Sequence, residues 1–296
     1  MQTNRRQFLA QSIAGIAAAS CTSYATAAPV TPMFRFGLVT YMWGSELDVP
    51  ALINACEQSG VLGVELRTTH AHGVEPSLDG KARAAVRDKF ANSKVELVGI
   101  GSNERFDYVN QAEVKASLDR AKAFIDLSKD VGGSGVKVKG DGFHDDVPRE
   151  QTLKQVISAL RELGDYGAER NQQIRLEVHG GFSEIPVHYE IISRLNHPNV
   201  RTCWNSNGAD LKGDGLDANF QKLRPFFGKT AHVRQLDAPD YPWDKLIELM
   251  VGSEYDGWLL LEAHSKGTPE NVIDRLKEQV ALLDAYRRNA VEHLSN

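Results

Sequence analysis

Eight short apolar, β-branched segments recur along this chain of 296 residues, and most of them end on polar or charged residues. Helical patterns fill the intervals, with apolar residues three and four positions apart, as at Leu153, Val156, Leu160 and Leu163. Strand alternating with helix eight times predicts parallel pairing through right-handed crossovers. The predicted strands are 34–43, 61–67, 95–101, 135–139, 174–179, 200–207, 230–236 and 258–264.

The number of these units favours one architecture. Eight strand–helix units in about 260 residues is the size of a (β/α)₈ TIM barrel. An open doubly wound sheet is the alternative, but it usually has fewer strands and often a glycine-rich phosphate turn after the first. Here the first strand ends Thr40-Tyr41-Met42-Trp43-Gly44-Ser45, without that motif. No linker-like stretch divides the chain after residue 27, so we expect a single α/β domain.

The N-terminal segment has the features of an export signal. It contains Asn4-Arg5-Arg6-Gln7-Phe8-Leu9, an alanine-rich stretch to Ser20, and the small-residue cleavage site Ala25-Thr26-Ala27. This pattern predicts a twin-arginine signal peptide over 1–27, a mature barrel over 28–296, and a periplasmic or exported protein that uses the twin-arginine translocation machinery. A helix of the mature domain is the alternative, and a lipid anchor on Cys21 is another. The apolar stretch is too short to span a bilayer, so no stable membrane insertion is expected.

Charge and cysteine content narrow the partners. The full chain has a formal net charge of −5 and no basic stripe, which argues against binding to nucleic acid or to an anionic membrane. Cys56 falls in a predicted helix and Cys203 in a predicted strand. They are interpreted as two buried thiols rather than as a disulfide.

The last four strands carry polar side chains on alternate positions near their carboxyl ends. Residues two apart on a strand share a face, so the members of each pair should point the same way. In a parallel barrel these ends meet at one mouth, where active sites lie. The pairs are Glu177 with His179, Asn205 with Asn207, His232 with Arg234, and Glu262 with His264. Their convergence predicts an enzyme.

The earlier strands add further groups to this ring: Tyr41, Trp43, Glu65, Arg67, Asn103, Lys137 and Lys139, with His70 and His72 just beyond the second strand. Such a lining suits a small polar ligand. The predicted substrate contacts are Arg67, His70, His72, Lys139, His179, Asn207, Arg234 and His264. Arg234 and Lys139 would hold a developing enolate or a substrate hydroxyl. The pair His70 and His72 could chelate a metal, but substrate binding or loop structure is favoured.

Glu177 and Glu262 are the predicted catalytic residues. Their strands lie well apart around an eight-stranded ring, so the two carboxylates could flank one substrate carbon. Removing a proton on one face and returning it on the other is what epimerisation beside a carbonyl requires. Alternatively, each glutamate pairs with an arginine or lysine at the mouth. His232 is either a metal ligand, an acid or a hydrogen-bonded structural histidine.

These segments together resemble the xylose-isomerase-like TIM barrel family, in particular its sugar phosphate isomerase/epimerase branch. The resemblance runs from about Phe34 to the end of the chain and is carried by Gly63-Val64-Glu65-Leu66-Arg67, Leu176-Glu177-Val178-His179, Ala231-His232-Val233-Arg234-Gln235-Leu236-Asp237 and Leu260-Leu261-Glu262. It implies one divalent metal ion (Mn, Zn, Mg or Co) bound by Glu177, Asn205, His232 and Glu262. The family usually has Asp where Asn205 stands and a second His where Arg234 stands. Either the metal is held weakly, or Arg234 takes over its electrostatic role.

The predicted function is an exported sugar isomerase or epimerase that transfers a proton next to a sugar carbonyl through an enediolate. Its ligand would be a small sugar, keto-sugar or glycoside. One alternative is a lyase or hydratase that uses the same base on 3-keto-glycosides. Another is a non-catalytic carbohydrate-binding barrel. A metal-dependent nuclease is disfavoured, because the chain offers neither a cluster of His and Asp ligands nor a basic groove.

Overall fold

Eight parallel strands close into a barrel in the computed structural model, which describes residues 33–264 and 267–295. The strands follow chain order around the barrel, and the last pairs with the first, with Phe36 opposite Leu259. The predicted (β/α)₈ TIM barrel is therefore confirmed. The predicted signal peptide over 1–27 and Cys21 lie outside the described residues.

The strands are β1 (Arg35–Val39), β2 (Gly63–Arg67), β3 (Glu96–Gly101), β4 (Gly135–Lys139), β5 (Gln173–Glu177), β6 (Val200–Asn205), β7 (Phe227–Val233) and β8 (Trp258–Leu261). The helices between and after them are α1 (Val49–Ser59), α2 (Gly80–Ala91), α3 (Gln111–Asp130), α4 (Arg149–Ala168), α5 (Ile185–Leu195), α6 (Gly215–Leu223), α7 (Trp243–Gly252) and α8 (Val272–Ser295). Single 3₁₀ turns occur at Gly180–Ser183 and Arg224–Phe226.

Local sequence signals explain where helices begin and end. The Asp48 side chain accepts a hydrogen bond from the backbone of Ala51 and caps α1, whose first turn contains Pro50. The same helix ends at Gly60, whose φ of 80° lies in the left-handed region that favours glycine. The turn at Gly60 lets the chain enter β2 at Gly63, three residues later.

Five strands end earlier than the sequence predicts. β1 ends at Val39 rather than at 43, and β5, β6, β7 and β8 end at 177, 205, 233 and 261. The ladder of hydrogen bonds extends only about one residue further, as where Val178 donates to Cys203 and Glu262 donates to Val233. Beyond these positions strand alternation no longer fixes where a side chain points: His179 and His264 still face the mouth of the barrel, whereas Asn207 and Arg234 do not. The outer member of each predicted pair lies in a loop.

Apolar side chains form two cores. The larger one packs the outer faces of the strands against the helices. A small cluster inside the barrel contains Val39, Val98, Trp258 and Leu260, with Tyr41 packed against it. Together they support the strands from both sides, which fixes the direction of the polar side chains at their carboxyl ends.

A buried guanidinium also fills the barrel interior. Arg175 donates to the Val98 carbonyl at 3.2 Å and to Ser134 Oγ at 2.7 Å. Gly99 and Gly135 leave room for it, because a Cβ on either would come within 3.0 Å of the guanidinium. Arg175 lies two residues before Glu177 on β5, so it belongs to the floor beneath the mouth.

Both cysteines after the leader, Cys56 and Cys203, lie among the described residues. Cys56 and Cys203 are both free and buried, as the sequence indicated. Burial raises the pKa of Cys56 to about 12, so this thiol stays protonated and unreactive. Within the described residues, none of the helices combines the length and apolar character needed to cross a bilayer.

Candidate active site

A pocket of about 130 Å³ opens at the carboxyl ends of the strands. Side chains from six strands or the loops directly after them line it: Tyr41, Arg67, Lys137, Lys139, Glu177, His179, Asn205, Glu262 and His264. Most of these groups are charged or hydrogen-bonding. The pocket therefore suits a small polar molecule rather than a polymer or an apolar ligand.

At the base of this pocket three buried side chains come together. Glu177, His232 and Glu262 each offer one ligand atom, and these atoms all lie within 4.8 Å of one another. His232 Nδ1 is 3.4 Å from Glu177 Oε1 and 3.7 Å from Glu262 Oε2. This group could hold a metal ion.

The surroundings of His232 fit such an ion. Neither ring nitrogen has a hydrogen-bond partner among the described residues, although the ring is completely buried. Nε2 faces Glu65 Oε1 at 3.3 Å, and metal-bound histidines commonly direct their second nitrogen to a carboxylate in this way. Asn205 lies against the same group, since its Nδ2 is 3.0 Å from Glu177 Oε1, and its amide also offers a neutral oxygen. One imidazole, two carboxylates and an amide are a donor set that suits Mn²⁺, Zn²⁺ or Mg²⁺.

Lys137 is the cation that the structure places closest to Glu177. Its Nζ is 2.7 Å from Glu177 Oε2, and the two side chains are only 2% and 1% exposed. Burial alone would lower the pKa of Lys137, but attraction to Glu177, Glu262 and Glu65 raises it above its ordinary value. Burial would likewise raise the pKa of Glu177, but Lys137 and His232 hold it well below the usual range. Both groups are therefore charged at neutral pH.

The two predicted catalytic glutamates have different surroundings. Glu177 is held on one oxygen by Lys137 and on the other by Asn205. The Glu262 carboxylate accepts no hydrogen bond from the described residues; its one ion-pair partner among them within 4.0 Å is His232, at 3.7 Å, and it lines the pocket. Glu177 is thus fixed in place, whereas no hydrogen bond from a described residue holds the Glu262 carboxylate.

A second ionic network holds the rim beside β4 and β5. His179 Nδ1 lies 2.7 Å from Asp141 Oδ1, and Arg105 lies 2.7 Å from Asp141 Oδ2. Lys139 approaches the same carboxylate at 3.6 Å. Burial would raise the pKa of Asp141, but the hydrogen bond from Arg105 and the neighbouring Lys139 and His179 lower it, so the carboxylate is ionised and orients His179.

Four predicted substrate contacts lie outside the lining of this pocket. Arg234 forms an ion pair with Asp240 at 3.0 Å. Asn207 donates to the Asn205 carbonyl at 2.7 Å and accepts from the Ala209 backbone at 2.8 Å, which closes a turn.

His70 and His72, in the loop after β2, are the other two predicted substrate contacts outside the pocket lining. His72 bonds to the Arg67 carbonyl at 2.8 Å and to the Val74 amide at 3.0 Å, so both its ring nitrogens are used to hold the loop. His70 packs edge-on against it, 3.5 Å from Thr40 Oγ1. This arrangement corresponds to loop structure, one of the two favoured interpretations of the pair.

Three residues of this site were given no role from the sequence. Lys137 alternates with Lys139 on β4, and Glu65 alternates with Arg67 on β2, so the signal for both was a charge inside an apolar strand. Asp141 follows β4 in a loop, where no pattern marks it. Its role depends on residues from three separate segments meeting in space.

The sequence matches the family model described as Xylose isomerase-like TIM barrel over residues 53–286. The chain belongs to this family. No curated protein matches it in sequence.

Solved structures of other proteins share its fold. It resembles L-ribulose 3-epimerase with a TM-score of 0.73 and 13% identity, over 88% of this chain and 97% of that one. It resembles 3-keto-D-glucoside 4-epimerase from E. coli with a TM-score of 0.71 and 12% identity, over 85% and 99%. A probable 3-DHS dehydratase from Bacillus anthracis has a TM-score of 0.64 and 17% identity, over 85% and 99%. At these identities the likeness establishes the fold, and the function must be argued from the site.

Proposed function

We propose that this protein is a sugar isomerase or epimerase that moves a proton on the carbon next to the carbonyl of a keto sugar. The observation that supports it most is the arrangement of Glu177 and Glu262 around buried His232 at the base of a small polar pocket. Sugar epimerases and a dehydratase are among the proteins that share the fold.

Glu262 acts as the base, since its carboxylate has no hydrogen-bonding partner among the described residues and faces the ligand. Glu177 returns a proton to the carbon from another side of the pocket, and it receives that proton from the Lys137 ammonium 2.7 Å away. The step leaves Glu262 protonated and Lys137 neutral, and proton exchange with water restores both. Until it gives up this proton, the Lys137 ammonium places positive charge where negative charge develops on the substrate oxygen. The geometry thus provides a base, an acid and a stabilising charge within one pocket.

A divalent metal ion would be held by Glu177, Asn205, His232 and Glu262, and when bound it would polarise the substrate carbonyl as a Lewis acid. Glu65 orients the His232 ring from behind. Tyr41, His179 and His264 line the pocket at its rim and bind substrate hydroxyls. Metal content, measured by elemental analysis before and after chelation, identifies the ion.

The test is hydrogen exchange from deuterated water into keto sugars, followed by NMR and mass spectrometry. L-ribulose, D-fructose and a 3-keto-glucoside are the first substrates to try. Glu262→Gln and Glu177→Gln should each reduce exchange by about 100-fold or more, because general acid–base catalysis contributes that much. Glu278→Gln on exposed α8 is the matched control and should stay at the wild-type rate. Wild-type exchange in both site variants, or no exchange with any keto sugar, contradicts the proposal.

Elimination from a 3-keto-glycoside is the second candidate, because it needs the same base and the fold is shared with a 3-keto-glucoside epimerase and a dehydratase. Product analysis separates the two reactions, since an isomer indicates epimerisation and a released aglycone indicates a lyase. Saturable sugar binding without exchange would instead indicate a carbohydrate-binding barrel.

We also propose export through the twin-arginine route, on the strength of Arg5 and Arg6 in the leader. Replacing both with lysine should retain the precursor in the cytoplasm. Cell fractionation measures this, and normal export of the double variant contradicts it.

A further inference from the structure

The pocket carries positive charge although the chain as a whole is acidic. Its lining contains three permanent cations, Arg67, Lys137 and Lys139, but only two carboxylates, Glu177 and Glu262. The formal net charge of the protein is −5. Concentrating cations in a concave site of an acidic protein favours a ligand of opposite charge.

One of the three cations is already neutralised within the site. Lys137 forms its buried ion pair with Glu177 at 2.7 Å. Arg67 differs, because no carboxylate of the described residues lies within 4.0 Å of its guanidinium, which stacks 5.3 Å from the Tyr41 ring centroid. A partly buried guanidinium with five donors and no acidic partner is suited to bind an anion.

Lys139 is also incompletely neutralised. Its nearest acid, Asp141 at 3.6 Å, already takes up Arg105 and His179 at 2.7 Å each. Lys139 therefore shares one carboxylate with two closer groups, the Arg105 guanidinium and the His179 imidazole. Arg67 and Lys139 border the same pocket from β2 and β4.

We propose that the substrate is an acidic keto sugar whose carboxylate is bound by Arg67 and Lys139. This inference rests on the proposed function, since it places the reacting carbon at Glu262 and Lys137 and the acid group at the β2–β4 side of the rim. A carboxylate fits better than a phosphate ester. The pocket is small and its lining offers side-chain cations, without a glycine-rich loop of backbone donors for phosphate.

Binding is tested by calorimetry on the intact protein with matched sugars. The pairs are D-fructuronate with D-fructose and D-tagaturonate with D-tagatose, and the 6-phosphates of the two neutral ketoses form a third arm. The wild-type protein should bind at least one sugar acid about tenfold or more tightly than its neutral partner. Arg67→Gln and Lys139→Gln should each remove most of this preference, whereas Arg67→Lys should retain part of it. Lys129→Gln on the exposed end of α3 is the control and should leave it unchanged.

Equal affinity for acid and neutral sugars, or loss of both to the same extent in Arg67→Gln, overturns the inference. Tight binding of the 6-phosphates alone overturns the choice of carboxylate. Hydrogen exchange separates this inference from the proposed function. Exchange into neutral keto sugars with no preference for acids rejects only the acidic substrate. Selective binding of acids with no exchange into any keto sugar, neutral or acidic, rejects the enzymatic function.

Discussion

Replacing Lys137 with methionine should destabilise the protein strongly, because it removes one partner of a buried ion pair. The methionine side chain is nearly as long as that of lysine, so the substitution leaves little cavity. Glu177 would then be an ionised carboxylate that is 1% exposed, with only the Asn205 amide and His232 near it. His232 would offset only part of the desolvation that the ammonium now offsets.

The size of the effect follows from the 2.7 Å separation of Nζ and Oε2. Two unit charges at that distance attract by about 6 kcal/mol at an effective dielectric constant of about 20. Burying both ions opposes this attraction, and removing one partner of such a pair typically lowers the free energy of unfolding by about 3–5 kcal/mol. We expect a loss in that range near neutral pH.

Lys139→Met is the matched control on the same strand. Its ammonium is 3.6 Å from Asp141, and the two side chains are 17% and 24% exposed, so the loss should be about 1 kcal/mol or less. Urea unfolding followed by far-UV circular dichroism measures both variants against the wild type. The deficit of Lys137→Met should also shrink as the pH falls toward the ordinary glutamate pKa, because protonation of Glu177 removes the unpaired charge.

A loss below about 1 kcal/mol for Lys137→Met would refute this reasoning, because a buried unpaired carboxylate destabilises a fold by more than that. An equal loss in Lys139→Met would show that lysine removal on β4, rather than the ion pair, is responsible.

Four further predictions concern titration, packing and metal binding. Burial raises the pKa of Asp210 to about 7, so the free energy of unfolding should fall as the pH rises from about 4 to 7. Urea unfolding should show a total decrease of at most about 4 kcal/mol over this range, and Asp210→Asn should remove it. Burial lowers the pKa of His188 to about 4, so stability should fall as the pH drops below about 6.5, and an unchanged slope in His188→Gln would contradict this. Gly135→Ala would press a Cβ onto the Gln173 carbonyl and 3.0 Å from Arg175 Cζ, which should lower the free energy of unfolding by about 1–3 kcal/mol in the same assay. Adding Mn²⁺ or Zn²⁺ to chelator-treated protein should raise the Tm. At a metal concentration one hundred times the Kd, the free energy of unfolding should rise by about 2.7 kcal/mol, and His232→Gln should abolish this gain.

The placement of the candidate site could be predicted from sequence because barrel topology determines which side chains meet. Once eight strands alternate with eight helices, all carboxyl ends share one face, and Glu177, Asn205 and Glu262 must approach one another there. The same reasoning was less successful beyond the strand ends. Asn207 and Arg234 lie in loops, where the path of the chain rather than strand alternation decides the direction of a side chain.

The ion pairs of the site depended on distances that no local pattern records. Lys137 meets Glu177 because β4 and β5 are neighbours in register, with Lys139 opposite Glu177. Arg234 is instead taken up by Asp240, six residues later, in the loop before α7. In the sequence, an arginine or a lysine at the mouth was an equally plausible partner for Glu177, and only the structure shows that the partner is Lys137.

The sequence by itself determined the fold class, the order of the strands and the face on which the candidate site lies, because hydrophobic periodicity and capping are local and are repeated along the chain. The tertiary structure alone decided which side chains pair with one another: Lys137 with Glu177, Asp141 with Arg105 and His179, and Arg67 with no acid within 4.0 Å among the described residues. Electrostatic interaction depends on separations of a few ångströms between segments far apart in the chain. Those separations exist only after the barrel has closed.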